Sequence, residues 1–311
     1  MRRGRAWPKP RFELGGETVK DALTGLVWTR DANPAELPLT WMEALEFVRS
    51  MNRERACGSE DWRLPNRREL RSLVSHQSAH PALPEDHPFR NVFAGWYWTS
   101  TTMAGHPEHA WYVHMDGARM FYGGKDQSFL VWPVRGDGRV LAATGQRDCF
   151  DATGARVACA GSGQDGESRQ GLPWDRDRFR ERGAVVVDRL TGLVWRRHAD
   201  LTGAPTTWEQ ALAAVLELRR GTSTPWRLPN INELESLVDC SRSRPALPEA
   251  ASFVNVRDGY WSSTTSVYEP DWAWAFYPEF GAVGVGQKRG VHFYVWAVCD
   301  LEPEQGGQSE C

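Results

Sequence analysis

The residues best suited to chemistry are few. His76, His80 and His87 lie close together beside Asp86, and imidazoles with a carboxylate can hold a transition metal. Gly123-Gly124-Lys125 is glycine-rich and basic, but it lacks the spacing and the following Ser or Thr of a phosphate loop and reads as a hairpin turn. Six cysteines offer thiol or disulfide chemistry. Cys149 and Cys159 flank Asp151-Ala152-Thr153-Gly154, a turn signal, so two short strands around that turn would bring their sulfurs together.

These candidates are judged against a duplication. Asp21-Ala22-Leu23-Thr24-Gly25-Leu26-Val27-Trp28 returns as Asp188-Arg189-Leu190-Thr191-Gly192-Leu193-Val194-Trp195. Trp62-Arg63-Leu64-Pro65-Asn66 returns as Trp226-Arg227-Leu228-Pro229-Asn230, and Tyr97-Trp98-Thr99-Ser100 as Tyr260-Trp261-Ser262-Ser263. The offsets of 167, 164 and 163 residues are nearly constant, which implies two tandem domains rather than a short-period solenoid. The boundaries read as copy one over 5–136, a linker over 137–170, copy two over 171–300 and a polar, mobile tail over 301–311.

Duplication dissolves most of the chemistry. At the offset of 164, the three histidines of copy one become Cys240, Arg244 and Ala251. Their loss, within a Pro-rich loop, favours surface loop over metal site. No nucleophile–base set recurs in both copies, so the expectation is no catalytic residue, no metal and no cofactor. Cys240 and Cys299 are both absent from copy one, where His76 and Arg135 stand; partners in a disulfide come and go together, so a Cys240–Cys299 bridge is expected. Cys57 and Cys311 find no placement. The even count favours an oxidising compartment, hence a secreted, periplasmic or cell-surface protein.

Composition bounds the partners. A net charge of −3 leaves no basic footprint for nucleic acid, and the run Arg2, Arg3, Arg5, Lys9 and Arg11 reads as a solvated tail. No apolar run reaches the ~20 residues that span a bilayer, and no apolar leader follows Met1. Sixteen tryptophans, mostly at matching positions in the two copies, argue for core.

The elements that must position these residues are legible. Thr40-Trp41-Met42-Glu43 and Thr207-Trp208-Glu209-Gln210 are capping boxes. The helices they open carry the stripes Ala44, Leu45, Val48, Met51 and Ala211, Leu212, Val215, Leu218. Asn66 and Asn230 cap a second helix in each copy, with Glu69 and Glu233 three residues later and Leu70, Leu73, Val74 and Leu234, Leu237, Val238 as its apolar face. Arg63 and Arg227 are expected to be held by carboxylates or carbonyls inside the domain. Short aromatic strands follow: 110–115, 119–122 and 129–134 in copy one; 273–277, 281–285 and 293–298 in copy two. Asp116-Gly117 is a hairpin turn. Two helices and a short-stranded antiparallel sheet make an α+β domain.

The shared motifs resemble the Lcl C-terminal domain family, a bacterial family largely without assigned function. The resemblance rests on Ala6-Trp7-Pro8 with Arg11-Phe12, on the Asp-x-Leu-Thr-Gly-Leu-Val-Trp box, Trp-Arg-Leu-Pro-Asn-x-x-Glu-Leu, Pro-Ala-Leu-Pro, Phe-x-Asn-Val and the Tyr-Trp-[Ser/Thr]-Ser-Thr-Thr strand, these last five present twice, and on linker segments such as Thr144-Gly145-Gln146. It implies C-type-lectin-like domains, near the formylglycine-generating-enzyme branch, and export; the founding adhesin binds sulfated polysaccharides.

If shared residues build the scaffold, recognition falls where the copies differ. The segments 103–109 and 115–125 become 266–272 and 278–288, and loops on a rigid scaffold carry recognition. Arg119, Tyr122 and Lys125 in copy one, and Tyr268, Trp272, Phe280 and Lys288 in copy two, are the candidate ligand residues, being of the types that binding hot spots use. The expectation is a non-enzymatic, adhesion-type protein that meets a carbohydrate or a protein at a cell surface, with two sites adding avidity. An enzyme of the formylglycine-generating branch and a purely structural, oligomeric module are the alternatives.

Overall fold

The computed structural model describes residues 6–138, 140–175, 177–222 and 224–301. The tail from 302 onward, including Cys311, and the arginines Arg2, Arg3 and Arg5 lie outside the described residues.

Copy one opens with strands β1 (Phe12–Gly15), β2 (Thr18–Asp21) and β3 (Val27–Thr29), then β4 (Leu39–Thr40), helices α1 (Trp41–Arg53) and α2 (Arg67–Ser72), and strands β5 (Trp96–Thr102), β6 (His109–His114), β7 (Met120–Gly124), β8 (Ser128–Phe129) and β9 (Val134–Arg135). The linker adds a hairpin, β10 (Cys149–Phe150) and β11 (Arg156–Val157), and one turn of helix, α3 (Asp165–Ser168). Copy two repeats the plan with β12 (Phe179–Arg182), β13 (Val185–Asp188), β14 (Leu193–Arg196), α4 (Trp208–Gly221), α5 (Ile231–Ser236), β15 (Tyr260–Thr265), β16 (Trp272–Tyr277), β17 (Ala282–Gln287) and β18 (Val298–Asp300). The mixed α+β class is as the sequence implied.

Both predicted capping boxes form, at Thr40 and Thr207, and the predicted caps Asn66 and Asn230 are completed into capping boxes by Glu69 and Glu233. Each satisfies donors that the first helical turn leaves orphaned. The apolar stripe of α1 is buried throughout, whereas Leu212 of α4 is exposed. The expected strand over 129–134 splits: only its ends join ladders, because Pro133 has no N–H to give and the segment crosses from one sheet to another.

The Asp-x-Leu-Thr-Gly-Leu-Val-Trp box is a hairpin turn with a buried ion pair. Asp21 accepts two bonds from Arg11, at 3.1 and 2.9 Å, and Arg11 also donates to the Ser72 carbonyl at 2.6 Å. Asp188 receives Arg178 in the same way, at 2.9 and 2.8 Å, with a third bond to Ser236. Arg11 is therefore no part of a solvated tail; it ties the first hairpin to the end of α2. The Trp-Arg-Leu-Pro-Asn motif works similarly. Arg63 grips Glu69 at 2.6 and 2.7 Å and Arg227 grips Glu233 at the same distances, while each Glu also accepts from its N-cap backbone. The Ser/Thr strand is a hydroxyl ladder, with Thr99 donating to the Trp111 carbonyl and Ser262 to that of Trp274.

The two copies share one sheet. Its order is β15-β16-β17-β7-β6-β5, and β17 meets β7 through Val283 opposite Met120. These two residues are equivalents, so the seam lies on a pseudo-two-fold axis. On the same axis Arg71 of α2 meets its own counterpart, Glu235 of α5, in a bidentate pair at 3.1 and 2.7 Å. The linker closes the seam. Gln146 bonds the N–H and carbonyl of Thr102 at 2.8 Å each and reaches the Cys240 carbonyl, and Asp165 accepts from Thr101 and Thr144 at 2.7 Å.

The linker disulfide forms as the turn signal implied, with Cys149 and Cys159 bridged and their strands paired. The expected Cys240–Cys299 bridge does not form. Cys240 carries a free buried thiol and belongs to the core that spans the seam, whereas Cys299 lies in β18 within the separate core beneath α4. The two cysteines arose on different faces of copy two, so their shared absence from copy one carries no pairing. Cys57 is an exposed thiol.

Three outcomes follow from these contacts. Arg71→Glu or Glu235→Arg sets like charges together in a buried place, costing about 3–5 kcal/mol; the double exchange recovers most of the loss in a urea-unfolding mutant cycle. Thiol labelling reaches Cys57 in folded protein and Cys240 only after unfolding. Burial pushes the Asp165 carboxyl up to about 6 from its ordinary 3.8. Its folded-state pKa lies above the unfolded one, so its contribution is whole below about pH 4 and is lost as pH rises through about 6. Stability measured against Asp165→Asn therefore moves in the variant's favour between those values, and a constant difference would contradict the assignment.

Candidate functional site

The residues expected to form ligand rims mostly face the other copy. Arg119 pairs with Glu269 across the seam at 3.0 Å. The rings of Tyr122 and Phe280 stand 5.9 Å apart, edge to face, and Phe280 packs on Gly105 and near His106. Tyr268 covers Gly117 and lies 5.1 Å from the His80 ring. Trp272 is half-buried at the start of β16. The two lysines are internal fasteners. Lys125 is 1 % exposed, sits 4.1 Å over the Trp41 ring and donates to the carbonyls of Phe150 and Asp151, which anchors the disulfide hairpin. Burial lowers its pKa to about 7. Lys288 does the same over Trp208, donating to Thr265 and the Pro270 carbonyl.

The histidines of copy one also disperse. His76 packs against Trp274 of copy two and lies 3.3 Å from the Asn232 side chain; burial lowers its pKa to about 4, so it is neutral. His80 meets Asp116, and His87 stacks on Phe89. Among the described residues no group of three His, Cys, Asp or Glu converges.

A different surface has the properties of a binding site. A cleft of about 360 Å³ opens in copy one between the loop after β3, the turn before β5 and strand β8. Its floor is the Trp96 ring, 39 % exposed at the start of β5. Trp96 is held by Tyr112 at 4.4 Å edge to face, by Phe129 at 5.8 Å nearly parallel, and by His114 at 4.8 Å. Phe93, 51 % exposed, forms one wall. Asn33 and Glu36 supply the polar side. Asn33 is only 6 % exposed; its amide N–H donates to the Glu36 carbonyl at 3.0 Å, and its Oδ1 has no partner among the described residues. Glu36 holds a left-handed backbone, φ 62°, which turns the chain across the cleft mouth. A rigid aromatic platform, an aliphatic and aromatic wall and a buried free acceptor make an amphipathic, concave site.

Copy two closes the corresponding place. Gly259 stands where Trp96 does, and a Cβ there would come within 2.6 Å of Phe293, the equivalent of Phe129. Arg257, which stands where copy one has Phe93 and like it donates its backbone N–H to the strand tyrosine's hydroxyl, reaches Asp200 at 3.0 Å and lies over Tyr294 at 5.1 Å. Asp200 and Tyr294 are the counterparts of Asn33 and Leu130, both of which line the open cleft. Sequence reasoning passed over Trp96 because it abuts the shared Tyr-Trp-[Ser/Thr]-Ser strand and was absorbed into the core. The signal was available: Trp96 against Gly259 is a large copy difference one residue before that strand.

The model of the Lcl C-terminal domain matches residues 17–135 and again 184–299. The chain belongs to the Lcl C-terminal domain family and carries two copies of the domain. No curated protein matches the chain. Among the described residues no helix is long and apolar enough to cross a membrane.

Trp96→Ala removes an exposed platform rather than core. It leaves the seam intact and costs about 1–2 kcal/mol for the lost ring contacts with Tyr112, His114 and Phe129, whereas Trp98→Ala costs about 3–5 kcal/mol. Chemical denaturation of the two variants checks the distinction.

Proposed function

We propose that this protein is a non-enzymatic, extracytoplasmic binding protein whose copy-one cleft holds a sugar residue of a surface glycan. The observation that carries the reading is the pairing of the exposed Trp96 face with the buried, unpartnered Oδ1 of Asn33. A pyranose has the matching character: an apolar C–H face to lie on an indole, and hydroxyls at its rim to donate to a fixed acceptor. Asn33, Glu36 and Ser128, the polar side chains of the cleft, suit hydrogen bonding to a held ligand. The Lcl C-terminal domain membership supports a lectin-like scaffold, and the linker disulfide supports an oxidising compartment.

Copy two acts in this reading as a structural partner rather than a second site, because Arg257 and Phe293 occupy its cleft. Binding is therefore one sugar site per chain, without avidity between copies. Glycan-array binding by wild type, Trp96→Ala and Asn33→Ala tests it. The expected result is at least tenfold weaker binding in both variants, with Trp272→Ala and Tyr122→Ala affecting binding only through stability. Equal binding by Trp96→Ala would remove the site.

A further inference from the structure

A second cavity, of about 410 Å³, lies on the pseudo-two-fold axis between α2 and α5 and is roofed by the linker. Its apolar walls come in equivalent pairs, Leu23 with Leu190 and Val74 with Val238. Its polar groups break the symmetry. Copy one contributes Arg67, Arg68 and Arg71, whereas copy two has Ile231, Asn232 and Glu235 at the same positions.

Only one of the three charges is answered. Both carboxylate oxygens of Glu235 are engaged by Arg71. Arg67, 3 % exposed, donates to the Gly281 carbonyl and lies 4.0 Å over the Trp111 ring, but its Nη1 has no hydrogen-bond partner among the described residues. Arg68 donates to the carbonyls of Val238 and Ser236, and its Nε is likewise without a partner. Among the described residues neither forms an ion pair with a carboxylate. The Cys240 thiol adjoins both, yet burial raises its pKa to about 11, so at neutral pH it brings no negative charge. Desolvation lowers the pKa of Arg68 to about 10, still a cation at pH 7. Glu235 attracts both Arg67 and Arg68 at longer range, but its two oxygens are held by Arg71; a desolvated guanidinium with no bonded carboxylate is costly, and a planar anion relieves that cost.

We infer that this seam cavity binds a small amphipathic anion, a medium-chain carboxylate, whose head meets Arg67 and Arg68 and whose chain lies between Leu23, Leu190, Val74 and Val238. The entrance is apolar, with Trp7, Val140 and Leu172 exposed around it. The site is independent of the Trp96 cleft and draws on both copies, so it exists only in the tandem arrangement.

Titration calorimetry and thermal unfolding of the full chain with octanoate, octanol and acetate test it. Octanoate is expected to bind saturably and raise the melting temperature, octanol to bind at least tenfold more weakly, and acetate to give no shift at the same concentration. Arg68→Met, which keeps the aliphatic stem, is expected to lose at least tenfold in octanoate affinity. Leu190→Trp, which fills the cavity from a half-buried position, is expected to abolish it. Trp96→Ala is expected to bind octanoate as wild type does, which separates this site from the glycan cleft. Equal affinity for octanol and octanoate, or wild-type octanoate binding by both Arg68→Met and Leu190→Trp, or no octanoate binding at all, would overturn the inference.

Discussion

The molecule turns on one meeting of equivalents: Met120 opposite Val283 in the shared sheet, with Arg71 against Glu235 above it. In a symmetric dimer a residue on the two-fold axis faces its own copy, so a charge there meets a like charge. Joining the copies in one chain lifts that restriction. The same position can then be arginine in one half and glutamate in the other, and the seam becomes an ion pair inside a continuous six-stranded sheet. The differences between the copies follow from this freedom. Arg119 with Glu269, Tyr122 with Phe280, and Tyr268 over Gly117 are all complementary pairs drawn from segments in which the halves diverge.

This is why the body of the fold was legible in the sequence and the partner of its variable rims was not. Capping boxes, buried helix stripes and the carboxylate grips of Arg63 and Arg227 are local; their residues lie within a few positions of one another and carry their own geometry. The duplicated boxes located both domains. Divergence between the copies, however, marks any surface with a specific neighbour, and a sequence does not say whether that neighbour is a ligand or the other half. Lys125 shows the same limit: a lysine after two glycines reads as a turn tip, yet its ammonium is drawn under Trp41 by two linker carbonyls far along the chain. Cys240 and Cys299 shared a pattern of occurrence without sharing a place, because co-occurrence between two copies samples only one event.

The cleft at Trp96 shows the opposite case, a divergence that faces outward. There copy two has spent the position on self-closure: Gly259 admits Phe293, and Arg257 reaches Asp200 across the gap. Copy one keeps a broad indole at the surface and an amide oxygen with no bonding partner among the described residues. The comparison within one chain is informative because backbone, strand register and supporting aromatics are common to both halves, so the open and filled versions differ in a handful of side chains.

Gln146 gives the linker a role beyond connection. Its amide holds both backbone groups of Thr102 in the first half and touches the Cys240 carbonyl of the second, while Asp165 nearby is clasped by Thr101 and Thr144. Among the described residues the tether is thus fastened to both halves at the seam. Opening the seam therefore means breaking the linker's bonds to Thr101, Thr102 and Cys240 together with the contacts of the two halves.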